Sequence, residues 1–135
     1  MSHARTLVQQ DLAHWLDEVL SQPMPASTVA FHVNLYETEE SVLVELMGTS
    51  SFSAGANPET DYWPGDATFY TDEYRFEIPF GVAGAAWPEW LETSKDMVRS
   101  YLCDGKNAAR LRDSQGVGIG FCDGDMYVLW PEAKA

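Results

Sequence analysis

The chain has 135 residues, 45% of them hydrophobic and 13% aromatic, with 21 acidic against 8 basic side chains and a formal net charge of −13. That length and apolar content exclude a disordered acidic tail and suit one domain, able to bury roughly two-thirds of the surface its unfolded form exposes. The charge excludes nucleic acid and anionic membranes as partners, since both are polyanions, and favours basic proteins or cations.

The first element in chain order is a helix over "TLVQQDLAHWLDEVLSQ" (6–22). Val8, Leu12, Trp15 and Val19 recur at helical spacing, and Leu16 and Leu20 widen the stripe. Thr6 with Gln9 three residues later reads as a capping box, and the prolines of "QPMPAS" end the helix. "TVAFHVNLYE" (28–37) alternates Val29, Phe31, Val33 and Leu35 against Ala30, His32, Asn34 and Tyr36, the pattern of a half-buried strand. "TEES" turns the chain, and "VLVELMG" (42–48) returns to form an antiparallel hairpin.

From Thr49 to about Gly65 the Ser, Gly, Ala, Asn and Pro content predicts a loop. "ATFYTDE" reads as a short edge strand. "YRFEIPF" (74–80) reads as another strand, with Pro79 at its edge or end. "GVAGAAWP" predicts a second loop. Pro88 opens a helix through "EWLETSKDMVRSYLCD", capped by Gly105, and "NAARLRD" continues as a short one. "VGIGFCDGDMYVLW" (117–130) reads as a hairpin turning at Asp123–Gly124. Gly118 and Gly120 share one face of its first strand, which calls for a closely packed helix or a bulge. The order predicts an α+β fold: a mostly antiparallel sheet of about five or six strands, with an N-terminal helix and a central helix packed on one face.

The chemistry-bearing residues are sparse. His3, His14 and His32 show no ligand spacing, and Asp61, Asp66, Asp72 and Glu73 lack the spacing of a calcium loop, so no metal site is expected. The glycines of "GVGIGF" alternate inside a strand rather than opening a helix, which argues against phosphate binding and against a nucleotide cofactor. No nucleophile elbow is present, and no catalytic residue or cofactor is assigned. Cys103 and Cys122 have no C-x-x-C spacing and read as reduced, mostly buried thiols. "MSHARTLVQQDL" has no signal-peptide pattern and no apolar run would span a bilayer, so a cytoplasmic protein is expected.

Charge is placed unevenly. Between Arg5 and Arg75 there is no Lys or Arg, while residues 6–74 carry twelve acids, a net charge of −12. Within that span "NPETDYWPGDATFYTDE" (57–73) gathers five carboxylates and four aromatic rings. Carboxylates steer a basic partner and raise its on-rate, and aromatic side chains supply rigid anchors. The expected partner-binding residues are Asp61, Tyr62, Trp63, Asp66, Tyr70, Asp72 and Glu73. Glu37, Glu39 and Glu40 join the same field if their hairpin end lies near this stretch. At least one of Trp63 and Phe69 is expected to fold inward.

"FHVNLYETEESVLVELMGTSSF", the acidic "DYWPGD…TDE" region and "VGIGFCDGDMYVLW" together resemble the small acidic immunity proteins of bacterial polymorphic and contact-dependent toxin systems. The resemblance implies a cytoplasmic protein, monomer or homodimer, that binds one cognate toxin, often a basic nuclease, and blocks its active site or substrate groove. Two other readings stay open. One is a small hydrolase or ligand-binding domain using a carboxylate pair in a concave pocket. The other is a regulatory or scaffold module that pairs through an exposed strand edge.

Overall fold

The computed structural model describes residues 3–54, 62–64, 66–71, 74–121 and 126–130, with only the backbone of 53–54 and 62–64. Helix α1 (His3–Ser21) starts earlier than the expected cap. Thr6 lies inside it, because Ala4 and Arg5 are good helix formers and extend the first turn back to His3. Its buried side chains are Leu12, Trp15, Leu16, Val19 and Leu20, with Val8 at the margin of the stripe. Pro23 stops it. The Arg110 guanidinium then donates to the carbonyls of Leu20 and Gln22 at its end, where unpaired carbonyls and the negative helix pole favour a cation.

Strands β1 (Ala30–Glu37) and β2 (Ser41–Thr49) form the expected hairpin, in register from Ala30↔Thr49 to Glu37↔Val42. The Thr38 hydroxyl closes its turn by accepting the Ser41 N–H at 2.9 Å. The chain from Thr49 to Gly65, expected as a loop, contains two short strands, β3 (Phe52–Ala54) and β4 (Tyr62–Pro64), which among the described residues form a separate two-stranded sheet. Their three-residue length leaves too little alternation to see in sequence.

The outer edge of β2 is divided between two strands. β5 (Ala67–Tyr70) takes Met47–Thr49, and β6 (Phe76–Pro79) takes Ser41–Val44. Thr71 bridges them: its N–H donates to the Leu46 carbonyl at 3.1 Å and its hydroxyl accepts the Leu46 N–H at 2.9 Å. After Pro79 the chain enters α2 (Phe80–Ala83) where a loop was expected. Phe80 stacks on Trp90 at 4.5 Å, and that packing stabilises the single turn. Helix α3 (Trp87–Asp104) has Pro88 in its first turn and Gly105 as its cap, and α4 (Ala108–Arg112) follows.

β7 (Val117–Phe121) lies parallel to β1, and β8 (Tyr127–Trp130) lies antiparallel to β7. The result is an α+β fold with a six-stranded, mostly antiparallel sheet of order β5-β2-β1-β7-β8, with β6 also on β2. Phe31, Val33, Leu35, Val42, Val44, Leu46, Ile78, Val117 and Ile119 face the helices and form one core with the buried stripes of α1 and α3. Each such aliphatic side chain contributes about 1.5–3 kcal/mol through burial. Gly118 and Gly120 fall on the opposite face, away from the helices, and the pairing with β8 slips between Val117 and Gly118, where β8 carries the extra residue Leu129.

The opposite face departs from the half-buried pattern. His32 is 2% exposed and Glu45 1%. A Cβ on Gly116 would collide with the Phe52 ring, so β3 lies against the start of β7. Glu45 accepts hydrogen bonds from Asn34 Nδ2 at 3.0 Å, the Tyr36 hydroxyl at 3.0 Å and Arg75 Nε at 3.2 Å. The Arg75 guanidinium also lies 4.5 Å from the Tyr36 ring centroid. A buried carboxylate survives only when paired and hydrogen-bonded in this way. Cys103, expected to be buried, is exposed, because it lies beyond the inward stripe of α3. Among the described residues no helix is long and apolar enough to cross a membrane.

Burial lowers the His32 pKa from 6.5 to about 4. At pH 5 the imidazole is therefore neutral in the fold but protonated in the unfolded chain. The stability it contributes is complete above pH 6.5 and is lost as pH falls toward 4, by about 1.4 kcal/mol per pH unit. His32→Gln should reduce the loss of unfolding free energy between pH 7 and pH 5 by about 2 kcal/mol, measured by urea denaturation. Equal losses in the two proteins would contradict the assignment.

Candidate partner-docking surface

β5 is four residues long, yet it is held at both ends. The Asp66 carbonyl accepts the Ser50 N–H at 2.9 Å, and the Thr28 and Thr68 hydroxyls meet at 2.6 Å. Phe69 turns inward and packs edge-on against Phe31 at 6.3 Å. It lies directly over Gly48, where a Cβ would enter the space of the ring. That close approach requires glycine, and it seats β5 on β2. Tyr70, the next residue, is 53% exposed.

Tyr74 follows after a turn closed by its own N–H on the Thr71 carbonyl at 2.9 Å, and its side chain is 52% exposed. Two bonds clip it to α1. Its hydroxyl donates to Glu18 Oε2 at 2.5 Å, and its carbonyl accepts the Trp15 indole N–H at 2.8 Å. Between the end of α1 and β5 this leaves an open cleft of about 290 Å³. Val19, Met24 and Phe69 make its apolar part, and Glu18, Tyr70 and Tyr74 its rim. A second, shallower cleft of about 580 Å³ lies beyond Met24, with Phe31, Arg110, Asp113 and Ser114 in its wall.

The sequence-predicted residues divide by position. Asp66 is exposed at the start of β5, and Tyr70 stands on the cleft rim. Tyr62 and Trp63 lie in β4, paired through the backbone with Ala54 and Ser53. Asp61, Asp72 and Glu73 lie outside the described residues. Glu37, Glu39 and Glu40 are exposed, but at the far end of the β1–β2 hairpin. β5 pairs with β2 at Met47–Thr49, while the turn abuts Ser41–Val42. Val42 and Met47, the near ends of those two stretches, are five strand residues apart, roughly 17 Å. The turn acids therefore do not join the field around Tyr70; they form a second acidic end.

Phe69 folds inward, as expected for at least one of the two rings. Glu18, Met24 and Tyr74 belong to the cleft and were not singled out from sequence. Glu18 follows Trp15 and Asp11 on α1 at i+3 and i+7, and only the packing of α1 against β5 reveals what that row faces.

Ion pairing is confined elsewhere. The pairs among described residues are Arg5–Asp96, Arg75–Glu45, Lys95–Glu92 and Arg99–Asp96. Eight of the twelve acids in residues 6–74 are described, and Glu45 alone among them is ion-paired. Asp17 and Glu18 instead accept phenol hydrogen bonds, from Tyr101 at 2.6 Å and from Tyr74. Among the described residues no group of three His, Cys, Asp or Glu side chains is arranged to hold a metal ion. No family model matches the chain, and neither a curated protein nor a solved structure does.

The hydrogen bond to Glu18, with smaller contributions from desolvation and from the Glu18 charge, raises the Tyr74 pKa above its ordinary 10.0. Replacing Glu18 with Gln removes the charge and most of the bond's preference for the protonated phenol. An NMR titration of ring-labelled tyrosine should show Tyr74 ionising at lower pH in the Glu18→Gln protein. An unchanged midpoint would mean that this contact does not persist in solution.

Proposed function

We propose that the protein is a binding module for a basic protein, which docks around Asp66, Tyr70 and Tyr74, and that this partner is a toxin domain held inactive by occlusion. The observation that carries the reading is the uncompensated charge: Asp66, Glu37, Glu39, Glu40 and Asp11 are exposed and take part in none of the ion pairs among the described residues. Of these, Asp66 stands at the head of the strand that carries the exposed Tyr70, and the others add to the long-range field that steers a cation toward the molecule. The acids set the encounter rate, and the rings supply contact area at low entropic cost. The resemblance to immunity proteins supplies the toxin. A surface of carboxylates presents to a nuclease groove what the phosphates of its substrate present.

A hydrolase using a carboxylate pair finds less support. It needs two acids converging on one hollow. Of the two clefts described above, one holds Glu18 and the other Asp113. Glu45 is enclosed and already accepts three hydrogen bonds.

Affinity capture from the native cell should retain a basic protein whose activity the chain suppresses. Against that protein, changing Asp61, Asp66 and Asp72 together to Asn should slow association several-fold at low salt. Tyr70→Ala should weaken binding by about 2 kcal/mol, chiefly through faster dissociation. Unchanged kinetics in both variants, measured by surface plasmon resonance, would exclude this face as the docking site.

A further inference from the structure

We propose that the cleft between α1 and β5 is the seat of a single arginine side chain of the partner, an inference that rests on the docking reading above. The guanidinium lies against Glu18 at the rim that Tyr70 and Tyr74 share, and its methylene stem lies on Met24 and Phe69. The lining has the polarity pattern of that side chain, apolar within and aromatic and anionic at the rim, with no basic residue among the nine that line it. Arginine is apolar along its stem and charged at its head, and it buries the first while keeping the second at a polar edge. A hollow of about 290 Å³ accommodates one long side chain and is smaller than most sites for drug-sized ligands.

Three further observations favour a cation there. Glu18 gives only Oε2 to Tyr74, and Oε1 has no hydrogen bond among the described residues. A carboxylate accepts through both oxygens, so a forked donor finds a free acceptor at the cleft edge. The cleft also lies at the C-terminal end of α1, the negative pole of the helix. Finally, this fold seats cations on tyrosine faces elsewhere: Arg75 at 4.5 Å from the Tyr36 centroid and Lys95 at 4.4 Å from that of Tyr127. Arginine is chosen over lysine because its planar head stacks on a ring and forks to a carboxylate at once, whereas an ammonium is a compact, strongly hydrated charge.

The test is an NMR titration of the full chain, observing the Met24 methyl and the Tyr70 and Tyr74 rings. The probes are Nα-acetyl-arginine methylamide and its neutral isostere Nα-acetyl-citrulline methylamide, with Nα-acetyl-lysine methylamide as a third. The expected result is saturable shifts with the arginine probe at millimolar concentration, at least about tenfold weaker with citrulline and clearly weaker with lysine. Glu18→Gln and Tyr70→Leu should each weaken arginine binding about tenfold while the core methyl spectrum stays native. Absence of saturable shifts at these positions, equal binding of citrulline, or equal binding of lysine would overturn the assignment. Because the titration needs no partner, the two readings fail separately. A basic partner that binds the Glu18→Gln protein as tightly as the unaltered one overturns the arginine seat and leaves the docking surface standing. An arginine-binding cleft in a chain that retains no basic protein overturns the docking reading.

Discussion

A carboxylate with no cation beside it must stay in water, and this chain leaves most of its acids in that position. No Lys or Arg lies between Arg5 and Arg75, while twelve acids do. Arg75 is committed to Glu45, the one acid of the span that the sheet encloses among the described residues. Apart from Lys106, which lies between α3 and α4, the remaining described cations sit in α3, α4 and the start of α1, where they pair with Asp96 and Glu92 or hold carbonyls at helix ends. The segment that builds β1, β2 and β5 therefore faces solvent with its charge intact. Such a surface has little to gain from folding and much to gain from meeting an opposite charge.

The sheet decides where that charge is presented. β2 is long enough to take β6 and β5 end to end on one edge, and Thr71 joins them with a hydroxyl that stands in for a backbone group. Gly48 lets the Phe69 ring lie on β2, which seats β5 on that edge and leaves Tyr70 exposed at its end. The bonds from Trp15 and to Glu18 then fix Tyr74 across the gap. The cleft is thus a consequence of strand sharing and helix docking together. The acids of the β1–β2 turn are carried to the opposite end by the same register, so the molecule has two acidic ends of different character. One is flanked by exposed tyrosines. The other is a turn held by Thr38.

Much of the fold was legible because its signals are local. The α1 stripe, the β1–β2 hairpin, Pro88 at the start of α3 and Gly105 at its end each follow from spacing or from one residue's backbone chemistry. The elements that were missed are short or depend on distant contacts. β3 and β4 are three residues each, and α2 is a single turn held by Phe80 on Trp90. The buried polar cluster was half visible: alternation placed Asn34 and Tyr36 on one face, and the hairpin register sets Glu45 opposite Asn34. Arg75, just before β6, closes it from thirty residues beyond Glu45, which local pattern does not reach. The candidate docking surface was legible as composition and not as shape. Asp66 and Tyr70 could be named from their stretch, whereas Glu18, Met24 and Tyr74 enter only because α1 packs beside β5.

The central claim, that an uncompensated negative field draws a basic protein to this surface, is tested most directly by the association rate with the captured partner as ionic strength is raised. Exposed charges act over about a Debye length, roughly 30 Å at 0.01 M salt and about 8 Å at 0.15 M. The account predicts an on-rate that falls at least about tenfold between those two salt concentrations, with a much smaller change in the dissociation rate. An on-rate that stays constant across that range would contradict it.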